Sequence, residues 1–470
     1  MTIEPNIPIR PTLDPTFIPA ALWNKAFHER VHAEASSRDI ALALTRPDGS
    51  SFIFNTRILS DNADNAFLNL FYMERLVKFL LWQRGASDIW ISGCDVLASR
   101  LQVIYSANGA RHFDAAYFGD RVYGKPLEIH ACASQDIPKA KENNTSLGRH
   151  LDGCRIGFDL GGSDRKCAAL IDGKVVFSEE TEWNPYFESD PEYHIQGIQA
   201  SLERAAAHLP RVDAIGGSAA GIYVNSEVRA ASLFRGVSPE DFDARIRHVF
   251  RDLQKRWNNV PFDVANDGEV TALAGSMSLG KNAVLGVSLG TSQAAGYVTP
   301  EGRITTWINE LAFAPVDYRA DAPMDEWSGD AGCGVQYFSQ QAVARLAPAA
   351  GIALPDDMPF PEKLESVQAL MKRGDASAAR IYDTIGAYLG YSLAHYAEFC
   401  KIENVLLLGR VTSGDGGTLI IDSAEKVLAT VFPELGETLS ISMPDEALKR
   451  HGQAVAAASL PEISEIMESA

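Results

Sequence analysis

Residues 157–166, GFDLGGSDRK, set two adjacent glycines between runs that read as strands, 155–160 and 167–171. An apolar strand that ends on a carboxylate and turns through Gly161 and Gly162 leaves few structural options. Glycine lets the backbone approach an anion without Cβ interference and permits positive φ. The exposed amides and the Ser163 hydroxyl can then donate to phosphate oxygens. Asp159 can hold Mg2+ through water, because Mg2+ prefers oxygen ligands and keeps several waters. Arg165 or Lys166 can offset phosphate charge. The motif alone is equally compatible with a plain tight hairpin.

Two further segments favour the phosphate reading. Residues 284–298, VLGVSLGTSQAAGYV, repeat the design, with Gly290, Thr291 and Ser292 between two strands. Residues 405–417, VLLLGRVTSGDGG, run a buried strand into Gly409, Arg410, Ser413 and Gly414 before a helix, a turn able to form a flat slot for adenine. Around these segments the pattern predicts a proline-rich start without regular structure and two strands within 39–59 about a PDG turn. A helix follows over 65–84 and a strand over 88–92. Further along, helices are expected over 193–208, 239–257, 376–399, 417–431 and 445–459, with one starting after Asn266. Strands are expected over 174–181, 214–215, 262–265, 283–289, 293–298, 404–408 and 439–442. Hairpins alternating with helices and returning parallel strands indicate an α/β architecture with mixed sheets. The hairpin–helix–strand order of 39–92 recurs in 155–215, an order common in α/β proteins. The polar stretch 134–149 is the preferred boundary. It gives an N-terminal α/β extension (1–150) that a degenerate lobe can explain, a first lobe (151–282) and a second (283–470).

Composition narrows the partners. The 470-residue chain carries 61 acidic against 42 basic residues, a formal charge of −19. Such a surface repels nucleic acid and anionic membranes, while still allowing ATP at a local site. Six cysteines (Cys94, Cys132, Cys154, Cys167, Cys333, Cys400) lie far apart with no CxxC pair, the usage of a reduced, cytoplasmic protein. No apolar run is long enough to span a membrane.

At this point the sequence resembles the sugar kinases of the ROK family, within the actin–hexokinase superfamily, over about residues 154–460. GFDLGGSDRK is similar to the family's phosphate-1 motif, GVSLGTSQAAGYV to phosphate-2 and VLLLGRVTSGDGG to the adenosine motif. The final helix with Gly452 resembles the family's closing helix. The resemblance implies a two-lobed actin/hexokinase-like (ribonuclease H-like) fold, with ATP and Mg2+ as cofactors. DVANDGEVTALAG (263–275) resembles the element bearing Asn-Asp, which implies Asp267 as general base. A carboxylate there fits transfer to a sugar hydroxyl, which needs a base within hydrogen-bond reach. Asn266 can cap the helix and also donate to a sugar hydroxyl. In INEL (308–311) the resemblance aligns Glu310 with the sugar-contacting glutamate, and GGSAAGIYVNSEVRAASLF (216–234) resembles the substrate loop, with Ser218 among its contacts.

Other positions depart from the family. Ala312-Phe313 follows where many relatives carry a zinc-binding histidine, and Cys333 alone remains of the cysteine-rich loop. One cysteine without a nearby histidine cannot make a tetrahedral zinc site, so no structural zinc is expected. Ser232 replaces a common sugar-contacting asparagine, which leaves the acceptor open. GSMSLGKN (275–282) nearly spells a Walker A loop but ends in Asn282 and follows a helix, so it reads as a helix end capped by Gly280. His194, near Trp183 and Tyr186, reads as a packed loop residue.

The leading expectation is an ATP-dependent kinase for a sugar-like hydroxyl compound. The alternatives are a sugar- or nucleotide-binding regulator of the same family and a superfamily ATPase without sugar transfer. Residues 1–150 lack a clear basic helix-turn-helix, which disfavours DNA binding; they can extend the sugar lobe or mediate homodimer contacts.

Overall fold

The computed structural model describes residues 3–141, 147–224, 226–444 and 446–463. Residues 142–146 of the expected boundary stretch, and Asp445 at the expected start of the final helix, lie outside the described residues. In chain order the strands are β1 Arg38–Thr45, β2 Ser51–Ile58, β3 Asp88–Ser92, β4 Glu128–Cys132, β5 Cys154–Leu160, β6 Asp164–Ile171, β7 Lys174–Glu182 and β8 Ala214–Ala219. They continue as β9 Ile222–Val224, β10 Glu227–Ala230, β11 Phe262–Asn266, β12 Val284–Leu289, β13 Gln293–Val298, β14 Asn404–Leu408 and β15 Ser440–Ser442. The chain forms two compact units: residues 1–143, 287–295 and 307–443 in the first, and 144–286, 296–306 and 444–470 in the second.

In the first unit, β2-β1-β3-β4 form a sheet. Its β1–β2 hairpin turns at Asp48-Gly49, where Gly49 has φ +79°. Alternation sends Ile40, Leu42 and Leu44 of β1 into the interior. The helix Ala66–Arg84 is buried almost all round, charged residues included. Lys78 is fully buried and bonds both carboxylate oxygens of Asp114, at 3.0 and 2.9 Å, while Trp82 Nε1 donates to the same group at 3.0 Å. Arg75 and Arg111 pair with Glu74 and with Asp330. Buried charges are tolerated only when paired in this way. The hairpin–helix–strand order of 39–92 is present, yet β3 runs antiparallel to β1, whereas β8 runs parallel to β5.

The second unit is built on the sheet β11-β8-β5-β6-β7. Period-two alternation gives β5 two different faces. Ile156, Phe158 and Leu160 enter a core with Ile198, Leu202 and Phe250 from the helices Pro191–Ala206 and Val249–Arg256. Gly157 and Asp159 point the other way. Gly157 lies beside Gly216 of β8, and Cβ atoms there would come within 1.8 and 1.7 Å of the Ala454 and Ala457 carbonyl oxygens. The helix Glu446–Ala458 therefore rests directly on the backbone of the sheet.

One expected element is broken. The helix expected over 239–257 begins at Pro239–Asp241, widens through Phe242–Ile246 and resumes at Val249–Arg256. The cause is tertiary: the Arg247 carbonyl accepts from the Val228 amide of β10 at 3.0 Å and so leaves the helical ladder. Helices over Ala20–Ala33, Asp95–Ile104, Gln340–Ala350 and Phe360–Lys372, and strand β4, are elements the pattern did not anticipate. Gly280 caps the helix Asp267–Leu279 in the left-handed region, φ +63°, as the Walker-like decoy required. Among the described residues no helix is long and apolar enough to cross a membrane.

Candidate functional site

The phosphate-1 hairpin and the Asn-Asp pair meet in the second unit. Asp159 stands opposite Lys166 on one side and Ser218 on the other in strand register. It is 6% exposed, and the Ser218 hydroxyl donates to its Oδ1 at 2.7 Å. Asn266 ends β11 and caps the helix Asp267–Leu279, its Oδ1 accepting from the Gly268 amide at 2.8 Å. Its Nδ2 donates to the Gly221 carbonyl at 2.7 Å. Asp267 opens that helix, and its Oδ1 accepts from the same Gly268 amide at 2.9 Å.

Electrostatics tie the two aspartates together. Burial pushes the Asp159 carboxyl up to about 6, the Ser218 bond opposes this, and the charge of Asp267 pushes it further. Asp267 keeps partial exposure, but protein atoms crowd its surroundings and the resulting desolvation raises it too. Lys166 attracts Asp159, although its ammonium is engaged by Asp164 at 2.6 Å. The oxygen-only Asp159 carboxylate fits Mg2+ held through water.

The glycines have separate reasons. Neither Gly161 nor Gly162 adopts positive φ, contrary to one of the reasons expected for them. A Cβ on Gly161 would lie 3.0 Å from the Asp164 carbonyl, and one on Gly162 would meet the Tyr186 hydroxyl at 2.2 Å. Trp183 Nε1 donates to the Gly161 carbonyl at 2.7 Å and its amide to the Ser163 carbonyl at 3.0 Å, so two aromatic residues buttress the hairpin. The Ser163 hydroxyl donates to Asp164 at 2.9 Å. Arg165 turns to the opposite face, donating to Ser201 at 2.9 Å, and is not on the side of Asp159. Ser218 is fully buried and also accepts from Gln453 Nε2 at 3.0 Å, so its hydroxyl is already used within the protein. Gln453 additionally reaches the Asp267 carbonyl at 3.3 Å. Sequence reasoning passed over it, although it directly follows Gly452. His194 is buried between Trp183 and Phe234 and bonds the Pro185 carbonyl, a packed residue.

The remaining predicted residues sit in the first unit. Gly290, Thr291 and Ser292 form the turn between β12 and β13, closed by the Gly290 amide on the Ser292 carbonyl at 2.9 Å. Thr291 and Ser292 are exposed, and a Cβ on Gly290 would meet nothing nearer than 3.5 Å. Gly409, at φ +98°, has no room for a side chain because the Leu289 carbonyl would lie 2.3 Å away. That contact sets the Gly409–Gly414 turn beside the end of β12. Arg410, Ser413 and Gly414 are exposed, with Gly414 (φ +72°) opening the helix Asp415–Val431. Glu310 is half-buried, and its amide donates to the Trp82 carbonyl at 3.0 Å.

Cys333 is fully buried, its thiol pushed up to about 12 by desolvation, and it lies against Asp330 rather than a histidine. Among the described residues the group with metal-like spacing is Asp88, Glu128 and His130 on β3 and β4, where Lys125 already pairs with Asp88 at 2.6 Å.

No protein-family model and no curated protein matches the sequence. Solved structures do match. A ROK hexokinase from Thermus thermophilus aligns over 65% of this chain and 96% of its own, with a TM-score of 0.51 and 19% identity. A ROK family transcriptional regulator, a homolog of the E. coli MLC protein, aligns over 66% of this chain and 79% of its own, with a TM-score of 0.52 and 19% identity. The chain thus has the α/β fold with mixed sheets that these two ROK proteins share.

Proposed function

We propose that the protein is an ATP- and Mg2+-dependent phosphotransferase acting on a hydroxyl of a sugar-like compound. The observation that carries this reading is the pair Asp159 and Asp267, two carboxyls raised by burial on β5 and just after β11, the strands that flank β8. Asp267 accepts the proton of the attacking acceptor hydroxyl, and a positioned base of this kind contributes about 10²–10⁴-fold. Asp159 would hold Mg2+ through water, with Ser218 and Gln453 fixing its orientation. Bound Mg2+ supplies charge neutralisation at the transferred phosphoryl group. Gly161, Gly162, Ser163 and Lys166, and Gly290, Thr291 and Ser292, would hold phosphates. Gly409, Arg410, Ser413 and Gly414 would line the adenosine slot, and Asn266 and Glu310 would meet the acceptor. Ser218 serves through Asp159 rather than by touching a ligand.

The fold is shared by a hexokinase and a regulator, so the acidic pair and not the fold favours catalysis. The test is Asp267→Asn assayed for ADP release with a broad sugar panel. A loss of at least 100-fold in transfer, with Mg-ATP binding retained, supports the reading. A wild-type protein that binds sugar but transfers nothing would instead be the sugar-sensing regulator.

A further inference from the structure

The role of the N-terminal segment can be read from what it does to Glu310. A helix leaves its last four carbonyls without intrahelical partners. Two such groups at the end of Ala66–Arg84 are taken by the loop that carries Glu310: the Trp82 carbonyl accepts from the Glu310 amide at 3.0 Å, and the Gln83 carbonyl from the Asn309 amide at 2.9 Å. The next residue grips the same loop. The Arg84 guanidinium lies 3.2 Å from the ring centroid of Trp307 and 4.1 Å from that of Phe52. Asn309, with φ +49°, is held in the left-handed region by these contacts.

The Trp82 ring leads from Glu310 into an aromatic group that reaches the surface. It stacks on Tyr117 at 5.2 Å and packs on Phe313 at 4.7 Å. Trp327 stands edge-on to Tyr117 at 5.3 Å and to Phe113 at 4.8 Å, and lies 4.7 Å from Phe313. Trp327 remains 48% exposed, so part of its indole surface is open to a ligand. The charge of Glu310 reaches the Tyr117 hydroxyl and, together with burial, raises it. An aromatic face beside a carboxylate suits a sugar ring: its hydroxyls bond the carboxylate, while its weakly positive C–H face lies on the negative ring face.

We infer that Trp327, braced edge-on by the buried Tyr117, forms the wall against which the acceptor ring stacks beside Glu310, and that the end of Ala66–Arg84 is the device that fixes Glu310. The inference rests on the kinase reading for the role of Glu310, and direct sugar binding separates the two. Calorimetry is run on the full chain with D-glucose, D-fructose and N-acetyl-D-glucosamine, and separately with Mg-ATP. The wild type, Trp327→Ala, Trp327→Phe and Tyr117→Leu are compared after equal melting temperatures establish intact folds. The expected result is at least one sugar bound by the wild type, with Kd raised tenfold or more in Trp327→Ala. Trp327→Phe should restore most of that loss, with the Mg-ATP Kd within twofold throughout. No sugar bound by the wild type, or an unshifted sugar Kd in both Trp327→Ala and Tyr117→Leu, overturns the inference. Sugar bound as expected but never phosphorylated leaves the wall standing and sinks the kinase reading.

Discussion

Replacing Asp159 by asparagine should make the protein more stable at neutral pH while removing the proposed Mg2+-dependent activity. Burial and the neighbouring Asp267 move this carboxyl from 3.8 to about 6. Each pH unit of such a difference corresponds to 1.36 kcal/mol, so ionising Asp159 in the folded state costs about 3 kcal/mol. The sign follows from proton binding. Between about pH 4 and pH 6 the folded chain holds this proton and the unfolded chain has released it, so wild-type stability falls as pH rises through that window. Above pH 6 the full cost is present. Asparagine keeps an oxygen to accept from Ser218 and cannot ionise, so its advantage approaches 3 kcal/mol at pH 7.5 and vanishes below about pH 4. For a cooperative unit of 150–250 residues, about 2–4 °C accompanies each kcal/mol, hence roughly 6–12 °C. Thermal melts at pH 4, 6 and 7.5 without divalent ions measure it, and Mg-ATP should then stabilise the wild type alone. An Asp159→Asn variant less stable at pH 7.5, or displaced equally at all three pH values, would refute the reasoning.

The same pair shapes the activity: kcat/KM should rise with pH through about 6, because Asp159 must ionise; a profile already flat above pH 4.5 would contradict this. Asp114→Ala leaves the buried Lys78 with Asp330 alone and Trp82 Nε1 without its acceptor, and should cost about 3 kcal/mol in urea unfolding. Gly216→Ala drives a Cβ toward the Ala457 carbonyl, 1.7 Å away in the native geometry, so soluble yield and Mg-ATP binding should both collapse. Asn266→Ala removes a cap bond and should lower stability by about 1 kcal/mol, read from the same melts.

Local chemistry explains how far the sequence could be read. The helix expected over 65–84 is observed as Ala66–Arg84 and the strand over 88–92 as Asp88–Ser92, because apolar pattern and turn residues agree at both. The break at Arg247 was invisible, since it depends on Val228, nineteen residues earlier in the chain, claiming one carbonyl. At the site, the strand–turn spacing drew the eye to Asp159 and the glycines, while Asp267 was singled out through the family resemblance. The spacing did not carry the reasons: Gly162 is explained by the Tyr186 ring, and Arg165 faces away because alternation along β6 aligns Lys166 rather than Arg165 with Asp159. The aromatic residues around Glu310 come from positions as distant as 82, 117 and 327, a gathering that no local pattern encodes.

The helix Glu446–Ala458 resting on Gly157 and Gly216 has a consequence for synthesis. The chain leaves the second unit after residue 306, builds 307–443 into the first, and returns only at 444. Strands β5 and β8 thus emerge from the ribosome almost three hundred and more than two hundred residues before the helix that covers them. Until then two bare glycine-lined strand faces stay exposed, and Asp159 and Ser218 lack Gln453. A ribosome halted between residues 298 and 444 releases a chain carrying both phosphate motifs and neither a covered sheet nor a finished acidic pair.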